Sequence, residues 1–188
     1  MLEGFWGENM RQIIAKHHIR LARPHECALL PAIEIAAGRL FLATKYTAID
    51  GIEPLPLPFF AQQQRHEHLW VAADEEDIPV GFAIALIIDN RAHLHELSVR
   101  PEHGRQGLGT RLVQHVLDWA QKAGLPAVTL STFRDVPWNA PFYRKLGFVE
   151  LPETEYGTGL QEIRQAEASL GLPMQDRVLM VFRFDQAG

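Results

Sequence analysis

Between Arg91 and Lys122 the chain changes its hydrophobic period, and glycine bridges the change. Residues 91–99, RAHLHELSV, alternate as a strand does. Leu94, Glu96 and Ser98 fall on one face, and His93, His95, Leu97 and Val99 on the other. From about Gly107 to Lys122 the spacing is helical, with Leu108, Leu112, Val113, Val116, Leu117 and Ala120 along one side. Pro101 breaks the strand, and Gly104, Gly107 and Gly109 carry the chain into the helix. A strand that passes through so free a turn into an amphipathic helix restricts the chain to folds in which helices pack on a sheet.

The rest of the chain fits that frame. HIRLA (18–22) is a short strand, and residues 25–41 have helical apolar spacing through Leu29, Leu30, Ile33, Ile35, Ala36 and Leu40. DGIEPLPLPFF (50–60) is too rich in proline for a regular element and reads as a loop or a helix entrance. HLWVAAD (68–74) and PVGFAIALIID (79–89) are strands around an EEDI turn, and the DN turn leads to the strand at 91–99, which makes an antiparallel meander. Gly124 caps the long helix, with Pro126 beyond it. A strand at 127–132, a short helix at 138–146 stopped by Gly147, a strand at FVEL, a helix at 159–170 and a final strand at 177–184 complete the order. The expected class is α/β (α+β): a mixed sheet flanked by helices.

A chain of 188 residues suits one well-filled core, here residues 18–188, with residues 1–17 as an N-terminal extension. The net charge is −5 and no basic run occurs, which argues against nucleic acid as a partner. The single cysteine, Cys27, can form no internal disulfide and is expected to be buried. It fits a reducing cytoplasm. The N-terminus lacks the features of a signal peptide. No stretch approaches the roughly 20 apolar residues of a membrane span.

The glycine turn has a chemical reading. The first amides of a helix have no partner within it and point outward. Together with the helix dipole they make a site for phosphate, and glycine lets a ligand approach the backbone. Arg105 adds a full charge. A tight turn that binds nothing is the bland alternative. The Walker pattern fails, because Gly-Leu-Gly-Thr stands where Gly-Lys-Ser/Thr is needed; the dinucleotide pattern GxGxxG fails, because the order here is GxxGxG.

That order, in ELSVRPEHGRQGLGTRLV, resembles the signature of the GNAT acetyltransferase superfamily: Gln/Arg-x-x-Gly-x-Gly/Ala after a strand ending Val-x-Pro. Val99, Pro101, Gly107 and Gly109 match, while Gly104 replaces the usual Gln or Arg. PFYRKLGFVEL is similar to the family's second segment through Phe142, Tyr143, Leu146, Gly147 and Phe148. Together these cover roughly residues 91–151. The resemblance implies a mostly antiparallel central sheet and acetyl-CoA as donor to a primary amine. It implies that Gly104, Arg105, Gln106, Gly107, Leu108, Gly109 and Thr110 surround the pyrophosphate. Leu97, Ser98 and Val99 would pair with the pantetheine arm. Many members carry Asn seven residues before the tyrosine; Val136 stands there, and Asn139 is the substitute contact.

Tyr143 matches the family's tyrosine and has a proton to give to the leaving thiolate, with an ordinary pKa of about 10. The alternative is a tyrosine that only packs or orients the thioester. Glu96, a carboxylate within an apolar strand, is the candidate base, directly or through water; a structural carboxylate is the alternative. His66 with His68, and His93 with His95, are spaced as pairs, but no third ligand lies at short spacing, so no metal is expected. His103 is expected to face solvent, and Trp70, Trp119 and Trp138 the core. The acceptor is expected to be a small-molecule amine. IDGIEPLPLPFFAQQQ could wall its pocket. The segment 152–176 carries Glu153, Glu155, Glu162 and Glu167, which suit a cationic amine or form a solvated face. A non-catalytic acyl-CoA sensor is the rival reading, though it has no need of Tyr143. Edge strands and apolar loops leave room for a homodimer.

Overall fold

The computed structural model describes residues 16–184; all but the last two residues of the expected 1–17 extension lie outside the described residues. Among the described residues seven strands form one sheet: β1 (His18–Leu21), β2 (Leu69–Ala73), β3 (Pro79–Ile88), β4 (Arg91–Val99), β5 (Ala127–Phe133), β6 (Val149–Glu150) and β7 (Arg177–Arg183), in the order β1-β2-β3-β4-β5-β7-β6. Among the described residues the α-helices are α1 (Leu30–Gly38), α2 (Leu57–Arg65), α3 (Leu108–Lys122), α4 (Ala140–Lys145) and α5 (Thr158–Ser169). The pairs β1–β2, β2–β3, β5–β7 and β6–β7 are antiparallel, and β4–β5 is parallel. This is the expected mixed, mostly antiparallel sheet flanked by helices.

Backbone contacts group the chain into two compact units. The first holds the described residues through Ile84 together with Glu96–His115. Its core includes Leu30, Ile33, Phe60, Leu69, Trp70, Phe82, Leu108 and Leu112, all buried. Phe60 meets Phe82 edge to face at 5.4 Å. Arg20 organises its edge. Two guanidinium nitrogens donate to Glu26 at 2.7 and 2.9 Å, and Nη2 also donates to Asp77 in the β2–β3 turn at 2.7 Å. Glu26 is 2% exposed. Burial alone would raise its pKa, but the bonds from Arg20 and the Arg23 amide hold it below the ordinary value.

The long helical spacing at 25–41 is divided in the structure. A 3-10 turn at Pro24–Leu29, helix α1 and a second 3-10 turn at Arg39–Ala43 follow one another. Pro31, near the start of α1, has no N–H to continue an earlier helix and fits only a first turn. The proline-rich stretch is indeed a helix entrance. The Pro56 carbonyl accepts from the Phe59 amide at 2.9 Å, Pro58 sits in the first turn, and α2 follows.

The second unit holds Ala85–His95 and the described residues from Val116 onward. Val116, Leu117 and Ala120 of α3 are buried here, and Ala127, Leu151, Leu160, Leu179 and Val181 form a cluster of their own. The Asp89-Asn90 turn has φ of +50° and +56°, the geometry of a two-residue hairpin. The Asp89 carboxylate accepts from the amides of Gly159 and Leu160, each at 3.0 Å, and so caps α5.

Candidate acetyl-transfer site

In the first unit the glycine turn is built in three steps. The Arg100 amide donates to the Val80 carbonyl at 2.9 Å, which holds the end of β4 on β3. A single 3-10 turn, Pro101–His103, closes with the Gly104 amide donating to the Pro101 carbonyl at 3.0 Å. Arg105 and Gly107 then take φ of +58° and +76°, and α3 begins. Gly104 is glycine for a steric reason: its φ is −65°, but a Cβ there would lie 2.9 Å from the Pro101 carbonyl oxygen. Gly107 is glycine for a conformational one, since nothing lies within 4 Å of its absent Cβ.

The Gly107 carbonyl accepts from the Arg111 amide at 3.0 Å, so Leu108, Gly109 and Thr110 are the first helical residues, whose amides have no helical acceptor. Leu108 is 1% exposed and anchors the turn from beneath; Arg105 and Thr110 are exposed and Gln106 is half-buried. The result is an outward row of amides at the positive end of a 15-residue helix. Gly104 spends its own amide on the turn. His103 departs from expectation. It is half-buried, and its Nδ1 lies 3.2 Å from His17 Nε2, while Arg111 donates to the His17 carbonyl at 2.9 Å.

The same unit carries Glu96, Leu97, Ser98 and Val99. The alternation holds, because the buried Ser98 hydroxyl donates to Glu96 Oε1 at 2.8 Å from the same strand face. The ladder of β4 with β5 pairs Ala92, His93 and Leu94 with Val128, Thr129 and Leu130, so Leu97–Val99 lie beyond it along β4. A second carboxylate, Glu34 of α1, belongs to this neighbourhood. The Leu55 amide donates to its two oxygens at 3.2 and 3.1 Å. Burial, and then the negative charge of Glu96, push its pKa up to about 8 against the Leu55 bond. Sequence reading missed Glu34. The available signal was a charged residue between Ile33 and Ile35, followed by Pro54-Leu55-Pro56, where only Leu55 has an amide to give.

The second unit carries Asn139 and Tyr143. Asn139 precedes α4, and its carbonyl accepts from the amides of Phe142 at 2.8 Å and Tyr143 at 3.1 Å. Its Oδ1 accepts from the Thr132 hydroxyl of β5 at 2.5 Å, which fixes the amide with Nδ2 as the remaining donor. Tyr143 is 8% exposed and packs edge to face on Phe142 at 5.0 Å and Phe148 at 5.7 Å. Its carbonyl accepts from the Phe148 amide at 3.1 Å, and Gly147, with φ of +93°, turns the chain between them. Val136 is buried, as a Val in place of Asn would be. Trp138 is 39% exposed, against the expectation of a core residue, because it lies in the turn before α4 and not within it.

The histidine pairs have structural surroundings. His66 closes α2, its amide donating to the Gln62 carbonyl at 3.1 Å, so it is on no strand. His93 is buried in β4. The Thr129 hydroxyl donates to the Ala92 carbonyl at 3.1 Å and so accepts from His93 Nδ1 at 3.0 Å. Burial, and then His95, hold the His93 pKa down to about 3, which keeps the ring neutral. Among the described residues no group of three or more His, Cys, Asp or Glu is placed to hold a metal. Cys27 is buried, and burial raises its thiol pKa, away from a reactive thiolate.

In sequence and in fold the chain is similar to known proteins. The chain is 31% identical over 134 residues to the peptidyl-lysine N-acetyltransferase YjaB of Salmonella typhimurium, covering 70% of this chain and 82% of that one. It is 30% identical over 91 residues to the ribosomal protein bS18 alanine N-acetyltransferase of Escherichia coli, covering 48% and 62%. The fold is similar to that of the PaiA N-acetyltransferase of Thermoplasma acidophilum, solved in complex with coenzyme A, with a TM-score of 0.65 and 16% identity over 89% of this chain and 99% of that one. Residues 38–148, from the end of α1 to Phe148, match the Acetyltransferase (GNAT) family. With the matching residues of both segments, Val99 to Gly109 and Phe142 to Phe148, inside that match, this chain belongs to the GNAT family of acetyltransferases.

Proposed function

We propose that residues 18–188 form one catalytic domain that moves the acetyl group of acetyl-CoA to the primary amine of a small molecule by direct attack on the thioester. The observation that carries the reading is the row of outward amides at Leu108, Gly109 and Thr110, set up by the left-handed Arg105 and Gly107. With Arg105, Gln106 and the Gly107 amide this is the phosphate-binding element, and Gly104 shapes it. Coenzyme A in the Thermoplasma relative supports the donor. Leu97, Ser98 and Val99 offer strand backbone to the amides of the pantetheine arm, and Asn139 offers Nδ2.

The amine nitrogen bonds to the thioester carbonyl carbon, and the carbon–sulfur bond then breaks. One proton leaves nitrogen and one reaches sulfur. Glu96 takes the first, directly or through water, and Tyr143 supplies the second. Glu34 sharpens the role of Glu96. With its pKa pushed up to about 8 by burial and then by the negative charge of Glu96, Glu34 holds a proton at neutral pH. A cytoplasmic setting fits the lone, unpaired Cys27.

A second reading, a peptide or protein amine as acceptor, is favoured by the names of the two relatives. It also suits the exposed apolar residues Ile35, Leu40, Leu42 and Leu57 of the first unit. The test is thiol release from acetyl-CoA with small amines and lysine peptides in parallel. Turnover with a small amine supports the first reading, and turnover confined to peptides supports the second. Binding of acetyl-CoA without release from any acceptor favours the sensor.

A further inference from the structure

Glu34 lies in α1, but its bonding partner lies in the proline stretch, 21 residues further on. Residues 53–56 form no regular element, and Pro54 and Pro56 have no N–H to give to a ladder. A stretch of this kind is held by side chains. The Leu55 amide donates to both Glu34 oxygens, at 3.2 and 3.1 Å, and so ties the stretch to α1. The tied residues stay near the surface. Ile52 and Leu55 are half-buried, and Leu57, at the start of α2, is 49% exposed. The result is an apolar strip, stiffened by two prolines and fastened through Glu34.

The fastening point is also close to the proposed chemistry. α1, the proline stretch and β4 from Glu96 onward belong to the same compact unit. The charge of Glu96 acts on Glu34, and Glu96 in turn accepts from the Ser98 hydroxyl at 2.8 Å. Glu34 is protonated at neutral pH, because burial and then Glu96 push its pKa up to about 8. Its carbonyl oxygen therefore accepts from Leu55 as the oxygen of a neutral amide would. Glutamine is thus the conservative replacement, and alanine the one that cuts the tie.

We propose, on the reading that Glu96 is the base, that Glu34 is a positioning residue for the acetyl acceptor: through the Leu55 amide it holds Pro54-Leu55-Pro56 in place as an apolar wall beside Glu96. Glu34 touches neither the thioester nor the attacking nitrogen. It acts through Leu55, and its loss loosens the wall while the glycine turn keeps its own bonds. The acceptor that such a wall favours is a primary amine carrying an apolar group.

The test joins hydrogen exchange at the Leu55 amide, read by NMR, with steady-state thiol release from acetyl-CoA, on the intact protein. The acceptors are phenethylamine, a lysine peptide with leucine on both sides of the lysine, and ethanolamine as the polar control. The Leu55 amide exchanges at least tenfold faster in Glu34→Ala than in the wild type, and near the wild-type rate in Glu34→Gln. Glu34→Ala raises the KM of the apolar acceptor by about tenfold, the upper end for one net hydrogen bond, and by more than it lowers kcat. Glu34→Gln brings KM back. Leu55→Pro removes the donor and raises KM as Glu34→Ala does, and the double variant Glu34→Ala/Leu55→Pro adds nothing further. Acetyl-CoA binds all these proteins alike, whereas a general loss of fold would weaken it in step with kcat. Equal Leu55 exchange in the wild type and Glu34→Ala, equal KM in the two, or a wild type that prefers ethanolamine would each overturn the wall and leave acetyl transfer standing. A wild type that binds acetyl-CoA and releases thiol with none of the three acceptors would overturn the transfer reading, and the wall with it.

Discussion

Tyr143, Gly107 and Glu34 each make a separable contribution. Tyr143→Phe keeps the ring that packs against Phe142 and Phe148 and removes the phenolic hydroxyl. It should lower kcat by roughly 100-fold or more, the usual scale of a general acid, with acetyl-CoA affinity unchanged. Equal turnover in stopped-flow thiol assays would leave the tyrosine a packing residue. At Gly107 no protein atom stands in the way of a side chain, so a substitution costs only backbone strain of about 1–2 kcal/mol at φ +76°. Gly107→Asp should therefore fold and yet lose acetyl-CoA, through charge repulsion and not through collapse. Glu34 has its pKa raised to about 8 in the fold, so the folded state holds the extra proton. That contribution to stability is complete below the unfolded value near 4.5 and is lost as pH rises through 8. Glu34→Gln should raise the melting temperature at pH 8 to 9 relative to wild type, and by less at pH 5. At this scale the sequence showed what lies along the chain: the shared face of Glu96 and Ser98, and the glycine order. It could not show Glu34, because the partners of Glu34 come from residues 55 and 96. His103 was misjudged for the same reason, its partner being residue 17.

Among the elements, periodicity located strands and helices well wherever one face is buried. Every residue on the predicted apolar side of α3 is buried, from Leu108 to Ala120. Periodicity was weakest where proline intervenes. The apolar spacing at 25–41 continues across Pro31, but the hydrogen-bond ladder does not. In the stretch at 50–60 the prolines hid the start of α2, because they sit at its cap and first turn. The network that ties β1 to the Pro24–Leu29 turn was not legible, since it depends on Arg20 meeting residues 26 and 77 at once. Arg20→Ala would leave Glu26 buried without its main partner. A loss of about 3–5 kcal/mol in denaturant unfolding is expected. A loss below about 1 kcal/mol would mean that Arg23 suffices.

For the whole molecule, the family and the mixed sheet were readable from two short segments, whereas the acceptor was not. The buried histidines also act at this scale. Burial holds His93, His95 and His68 below their ordinary pKa, so the folded state binds fewer protons than the unfolded chain. The stability they contribute is full above about pH 6.5 and is lost as pH falls. In Glu34→Gln, which lacks the opposing slope of Glu34, melting temperature should drop between about pH 7 and pH 5; a flat profile would contradict neutral buried imidazoles.

If the glycine turn holds acetyl-CoA for transfer to an amine, binding and transfer fail together when the turn is spoiled. Calorimetry with acetyl-CoA on the wild type and Gly107→Asp, followed by thiol release with amines on the same samples, tests it most directly. The wild type should show binding and amine-dependent release, and a folded Gly107→Asp neither. A wild type that does not bind acetyl-CoA, or a Gly107→Asp that binds it equally well, would contradict it.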